Sequence, residues 1–275
     1  MTEFGGKGME AISERAADTL ALAVRDARKS YGAVAALDGC SIEVPTGGIV
    51  GLIGPNGSGK STLIEVISGL QELDSGEVLL NGRAVQNLSP HQRARYGLRR
   101  SFQVSRLWQN LSVMENILAA MPQQGRDKLW KNYFSPRIVA RQERDAVERG
   151  LEILSQFGLW RLRNDRASAL SGGQGRLLEF ARIMVSDASI ALLDEPLAGV
   201  NPVMAEAVVS GIGSLMAAGI SVLVVEHDLS FIESLCDKVY GMESGRVVVS
   251  GSMREIAATE FFAETYIGRS TRGES

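Results

Sequence analysis

The stretch GPNGSGKST at residues 54–62 restricts the possible fold more than any other part of this chain. It matches the pattern G-x-x-x-x-G-K-[ST] and follows IVGLIG at 49–54, a short apolar run typical of a buried strand. After it come Leu63, Val66, Ile67 and Leu70, spaced as one face of a helix. A strand running through such a loop into a helix is a cradle for phosphate. Many N–H donors must converge on the phosphate oxygens, and Gly57 and Gly59 let the backbone wrap without Cβ clashes. The helix opening near Ser61 adds the positive end of its dipole. Lys60 is placed for the β- and γ-phosphates of a nucleotide, and the Ser61 hydroxyl for Mg2+.

Around this unit, strand and helix patterns alternate. GEVLLNG at 76–82, IALLDEP at 190–196 and SVLVVEHD at 221–228 read as strands. SVME at 112–115 is a capping box, and Ser135 with Pro136 opens another helix. That helix carries a stripe of Val147, Leu151, Leu154 and Phe157 and ends at Gly158. Asn201 and Pro202 open a further helix bearing Val203, Ala207, Val208, Leu215 and Met216, closed by Gly219. Such alternation implies an α/β core with a mainly parallel sheet. Two lobes stand outside it. One is strand-rich, at 22–44, with Tyr31-Gly32 and Asp38-Gly39 as turn signals; the other is helical, at about 105–165.

Composition narrows the partners. The 275 residues are 45% hydrophobic with a net charge of −3, enough for one large domain and without the basic excess that nucleic acid demands. Cys40 and Cys236 form neither a disulfide framework nor a metal spacing, so they read as core filler in a reducing compartment. No apolar run is long enough to span a bilayer, and the first residues lack the order of a secretory signal. Residues 1–20 read as an N-terminal extension with a short helix from Ser13 to Leu20, 21–255 as the domain, and 256–275 as a C-terminal tail.

Several polar residues stand where strands should end. ALLDEP delivers Asp194 to the carboxyl edge of the sheet, where it can hold Mg2+, with Glu195 placed to polarise an attacking water. His227 follows VLVVE at another such edge, placed as a hydrogen-bonding switch facing the γ-phosphate. LSGGQ at 170–174 is a second anion site: Ser171 caps a helix, and Gly172 and Gly173 expose N–H groups at its start. A single nucleotide needs only one cradle.

LSGGQ ahead of ALLDEP, with the phosphate loop far upstream, resembles the nucleotide-binding subunits of ATP-binding cassette (ABC) transporters over about residues 22–250. That resemblance implies a P-loop NTPase with a mixed β-sheet core, an N-terminal antiparallel β subdomain and an α-helical subdomain. It implies that ATP and Mg2+ are bound by a head-to-tail pair of subunits, the LSGGQ of one capping the γ-phosphate held by the other. Ser171, Gly172, Gly173 and Gln174 would then meet the partner's nucleotide. Gly54, Asn56, Gly57, Ser58, Gly59, Lys60, Ser61 and Thr62 would hold the chain's own, with Tyr31 stacked on adenine. Gln103 would sense Mg2+ beside Ser61 and Asp194, with Glu195 as catalytic base and His227 as switch. AGVNP at 198–202 places Asn201 where many relatives carry an aspartate in a cross-dimer loop.

A narrower resemblance rests on RRSFQVSRLWQNLSVMENI, LAGVNP, VVEHDLSFI and AETYIG, which are similar to subunits importing branched-chain amino acids or their urea and amide relatives. It implies a peripheral protein at the cytoplasmic face of the inner membrane. Its partners would be membrane permease subunits, a second ATP-binding subunit (the same chain or a related one) and, indirectly, a solute-binding protein, with no nucleic acid. The competing reading is a soluble ABC-type ATPase acting on nucleic acid or ribosomes. Such proteins usually carry long coiled-coil insertions or two cassettes in one chain, and neither is present. A lone P-loop kinase or GTPase would leave LSGGQ unexplained.

Overall fold

The structure is a computed structural model that describes residues 20–101, 107–122 and 136–267. The extension before Leu20, Gln103 and the Ser135 cap lie outside the described residues. Two compact units divide the chain. One holds the residues up to Arg100 with Ser189–Glu195 and everything from Gly219 onward; the other holds Ser101–Ala188 and Pro196–Ala218.

The first unit contains two sheets. β1 (Leu20–Tyr31) and β2 (Val34–Pro45) form an antiparallel hairpin. Gly32, at φ +60°, turns the chain between them, as the Tyr31-Gly32 pair predicts. The second expected turn is not one. Asp38 and Gly39 lie inside β2, where Ala27 pairs with Cys40 but Arg28 with Asp38, so Gly39 is left over as a bulge at φ +82°. β3 (Ile49–Ile53) enters the second sheet and leads into α1 (Lys60–Ser68). β4 (Ser75–Leu80) and β5 (Arg83–Ala84) complete the first sheet in the order β2-β1-β4-β5, joined by the Asn81-Gly82 turn.

The second sheet explains why three strands read as unbroken apolar runs. After α2 (Pro90–Arg95) come β6 (Leu98–Arg100), β7 (Ile190–Asp194), β8 (Ser221–Val225), β9 (Lys238–Glu243) and β10 (Arg246–Gly251). The order is β10-β9-β3-β8-β7-β6, parallel throughout except for β10. Every residue of β3 and β8 is buried, as are the first four of β7. Register then sets the chemistry, because Leu52 pairs with Val225 and Val225 with Asp194. The chain therefore leaves β3, β8 and β7 at one level along the carboxyl edge. Leu52, Leu63, Ile64, Ile67 and Leu223 share one hydrophobic core with Leu22, Val24 and Ile42 of the antiparallel sheet. Leu70 departs from the expected helix face: α1 stops at a left-handed Gly69, and Leu70 is exposed. Both cysteines are buried and free, and burial pushes each thiol up to about 12, in keeping with core filler.

The second unit is helical. α3 (Val113–Ala120) begins at the expected Ser112–Glu115 capping box. α4 (Pro136–Gln156) and α5 (Gly172–Val185) pack against it and each other, and α6 (Pro202–Ala217) packs against α5. Asn201 caps α6 by accepting from the Met204 N–H at 2.9 Å. Gly211 lets α6 approach Phe180 and Leu177 of α5, and a Cβ there would meet Phe180 at 3.0 Å. Two expected core positions face outward. Along α4 and into the turn after it the inward line runs through Gly150, Leu154 and Phe157, leaving Val147 exposed, and on α6 it runs through Val208, Ile212 and Leu215, leaving Val203 exposed. The first unit closes with α7 (Leu229–Leu235), α8 (Met253–Ala257) and two short helical turns at Glu260–Phe262 and Ala263–Ile267, so helical structure continues into the stretch read as a tail. No described helix is long and apolar enough to cross a membrane.

One buried cation holds the end of α1. Arg93 of α2 is only 2% exposed, and its guanidinium donates to the carbonyls of Val66, Ile67, Leu88 and Gln86. It thereby adds to the Gly69 N–H at the Val66 carbonyl, answers the last-turn carbonyl of Ile67 and sits at the negative end of the dipole. Burial pushes its pKa down to about 10, so it stays charged at neutral pH. Arg93→Ala would take a charged donor from four carbonyls, buried at Val66 and Ile67, and should cost roughly 3 kcal/mol in urea unfolding; a loss under about 1 kcal/mol would contradict this account.

Candidate functional site

The phosphate loop is shaped by its glycines in different ways. Gly54 at φ +149° and Gly59 at φ +103° are in backbone conformations closed to other residues, and a Cβ on either would run into a carbonyl oxygen, of Met242 and Ala36 respectively. Gly57 faces open space, so it is its φ of +81°, and not crowding, that calls for glycine. The Gly245 N–H donates to the Ser58 carbonyl at 2.9 Å, and the Asp38 N–H to the Gly245 carbonyl at 2.9 Å. The turn between β9 and β10 thus braces the loop from behind. Arg246 and Arg28 both pair with Asp38, hold its carboxyl below the usual range and fix that brace. Asn56, Gly57 and Ser61 are exposed on the loop's outer side, Thr62 is half-buried, and Ser58 is buried.

Lys60 is folded back over the loop it follows. Its ammonium, 7% exposed as a residue, donates to the carbonyls of Gly54 at 2.7 Å and Pro55 at 2.9 Å. Burial lowers its pKa, while the nearby Glu195 and Asp194 carboxylates oppose that shift. So the ammonium lies in the electrostatic field of the carboxylates at the end of β7. It is presented on a buried, braced frame.

Asp194 and Glu195 leave β7 in different directions. Asp194 Oδ2 accepts from Arg100 Nη2 at 3.1 Å. Glu195 has φ +48°, an uncommon conformation for a non-glycine residue, held by its N–H donating to the Val225 carbonyl at 2.9 Å. The twist sends its carboxylate toward His227, whose Nε2 lies 3.0 Å from Glu195 Oε1. The Glu226 carboxylate in turn accepts the His227 N–H at 2.9 Å. The structure therefore brings together Lys60, Asp194, Glu195 and His227 at one sheet edge. Tyr31 stands apart at the tip of the first hairpin, half exposed, with Lys29 Nζ 5.6 Å from its ring centre.

The LSGGQ stretch, expected to be a second anion site, lies in the helical unit. Ser171 caps α5, its Oγ accepting from the Gln174 N–H at 3.3 Å while Gln174 Oε1 accepts the Ser171 N–H at 3.0 Å. The Gly175 N–H goes to the Ser171 carbonyl at 2.8 Å, so the N–H groups of Gly172 and Gly173 are the donors that the helix start leaves over. Ser171 and Gly172 are exposed, whereas Gly173 is buried against α6. Sequence reasoning anticipated the cap but missed that Gln174 closes a capping box. It also missed Arg100, whose only sequence signal is a charged residue ending a short strand, and the Arg28–Asp38–Arg246 brace, which depends on contacts between distant segments.

A phosphate loop at the end of a parallel strand, with carboxylates one and two strands away, defines a P-loop nucleotide-hydrolysing fold. Residues 37–198 match the family model described as ABC transporter. The chain is 35% identical over 247 residues to a probable branched-chain amino acid transport ATP-binding protein, LivG, of Archaeoglobus fulgidus, covering 90% of this chain and 95% of that one. It is 34% identical to the lipopolysaccharide export system ATP-binding protein LptB of Acidithiobacillus ferridurans, covering 87% and 93%. A crystal structure of a nucleotide-free ATP-binding cassette from an ABC transporter superposes with a TM-score of 0.76 at 33% identity, covering 90% and 99%. The chain belongs to the ABC transporter family, as one of its ATP-hydrolysing cassettes.

The two signature glycines can be separated experimentally. A Cβ on Gly173 would sit 2.7 Å from Met204 Cβ, whereas one on Gly172 meets only the Gly199 carbonyl at 3.3 Å. Gly173→Ala should therefore destabilise the protein by about 1–3 kcal/mol through overpacking, and Gly172→Ala by less than about 1 kcal/mol, measured by urea unfolding. Equal effects would remove the packing distinction.

Proposed function

We propose that this protein is the ATP-hydrolysing subunit of an importer for branched-chain amino acids or related small polar solutes. It sits on the cytoplasmic face of the membrane against permease subunits, paired with a second ATP-binding subunit. The observation that carries the enzymatic part is the 3.0 Å contact between His227 Nε2 and Glu195 Oε1 at the edge where the phosphate loop begins. Likeness along nearly the whole chain to LivG proteins of two archaea and of Salmonella supports the substrate class.

Glu195 takes the proton of the water that attacks the γ-phosphate, and His227 holds that carboxylate in place. Lys60 leaves the carbonyls of Gly54 and Pro55 for the phosphates, an exchange of one set of oxygen acceptors for a charged set. Ser61 and Asp194 would hold Mg2+. The fit is sound, because the exposed Ser61 hydroxyl and the Asp194 carboxylate are hard oxygens, and Mg2+ takes one or two protein oxygens with phosphate and water. Held there, the ion would supply positive charge against the phosphates. Tyr31 offers a half-exposed ring for adenine. Ser171, Gly172 and Gly173 present their donors to the partner's nucleotide, so hydrolysis requires the pair.

Glu195→Gln should still bind ATP but hydrolyse it about 10²- to 10⁴-fold more slowly; wild-type turnover would remove Glu195 from the chemistry. Lys60→Ala should weaken ATP binding roughly 10- to 100-fold by calorimetry, as expected for losing charged hydrogen bonds, and unchanged affinity would contradict the cradle. For the solute, cells lacking this chain should lose uptake of labelled leucine and regain it on re-expression. Normal uptake with a failing outer leaflet would instead match the LptB relative.

A further inference from the structure

Arg100 ends β6 beside β7, one residue before the described chain leaves this unit. Its Nη2 lies 3.1 Å from Asp194 Oδ2, and its Nη1 lies 3.3 Å from Ser68 Oγ at the last residue of α1. Both charged side chains are largely sealed from water, at 12% and 17% exposure. Sealing an ion pair costs desolvation that only good geometry repays, so such a pair is weak evidence of a stabilising purpose. Nor is a second arginine needed to clamp α1, since Arg93 already holds the Val66 and Ile67 carbonyls. What distinguishes Arg100 is its target, the carboxylate at the sheet edge.

We propose that Arg100 is a positioning residue that acts through Asp194 as a built-in competitor for Mg2+. The proposal rests on the reading of Asp194 as the metal-facing carboxylate. Before the ion arrives, the guanidinium neutralises Asp194 and fixes its orientation. When Mg2+ arrives with nucleotide, it meets a carboxylate whose charge is already half answered and a fixed positive charge beyond it. Two effects oppose. Holding the carboxylate still favours the metal by saving side-chain freedom, and placing a full positive charge one side chain away disfavours it. In partly buried surroundings the charge effect is the larger. Arg100 therefore weakens the grip on Mg2+, which suits a site that must release its metal with product in every cycle.

The test compares ADP complexes by thermal shift as Mg2+ is raised, in the wild type and in Arg100→Lys, Arg100→Gln, Arg100→Met and Asp194→Asn. Arg100→Lys keeps the charge and should respond like the wild type. Arg100→Gln keeps hydrogen bonds without charge, and it and Arg100→Met should need roughly 3- to 30-fold less Mg2+ for half the effect. Should Gln and Met need as much or more, the competitor role is overturned. Asp194→Asn should need far more Mg2+; an unchanged response there would sink the metal reading itself, a separate failure. In the unmutated ADP complex, the Arg100 Nε–H resonance should move as Mg2+ is added. A resonance that stays fixed would overturn the proposal even if no neutral variant folds.

Discussion

Two carboxylates, a buried ammonium and a largely covered guanidinium share one edge of a parallel sheet, and their balance governs much of what surrounds them. Asp194 and Glu195 alone would make that edge repel any anion. Lys60 lies in their field, and Arg100 answers Asp194 directly. Pairing of Leu52 with Val225 and of Val225 with Asp194 brings these groups to the same level, so the balance depends on register. A slip of one residue would turn each side chain to the opposite face of the sheet. Because β3 and β8 are buried on both faces, such a slip would force two close-packed layers to rearrange at once.

That dependence explains what could be read in advance. The apolar runs at 49–53, 190–193 and 221–225 declare buried strands because both faces are covered, and local chemistry announces the caps at Ser112, Ser171 and Asn201. Where the outcome turns on a partner strand or helix, local reading misleads. Asp38-Gly39 has the composition of a turn, yet it is drawn out as a bulge because β1 pairs along the whole length of β2. Val147 and Val203 carry apolar side chains at helical spacing, but the packing of α3 to α6 is already supplied by Leu154, Phe157, Val208 and Ile212. Within the site, the motif residues were legible one by one. The Arg100–Asp194 pair was not, since it joins residues 94 apart through strand neighbours.

Glycine does unlike work at the two cradles. In the phosphate loop, Gly54 and Gly59 are required by close approach of the Met242 and Ala36 carbonyls, so the loop is pressed into shape by its own neighbours. The brace through Gly245, with Asp38 fixed by Arg28 and Arg246, makes that pressure a property of the whole first unit. In LSGGQ the pair is divided: Gly172 faces solvent at the helix start while Gly173 is fitted against Met204. One glycine keeps the anion side open and the other sets how α6 meets α5. The capping box between Ser171 and Gln174 satisfies the donors that no ligand needs, leaving the two glycine N–H groups as the helix's unfilled capacity.

The near-equal likeness to an amino-acid import subunit and to a lipopolysaccharide export subunit follows from the same physics. A phosphate loop and a carboxylate edge answer to the nucleotide and are indifferent to cargo. Elsewhere the helical unit carries exposed apolar side chains that neither feature calls for, among them Trp160, stacked by Arg163, and Trp108, stacked by Arg182. In each pair the guanidinium lies 4.1 Å from the ring centre, which holds a large flat side chain rigid at little entropic cost.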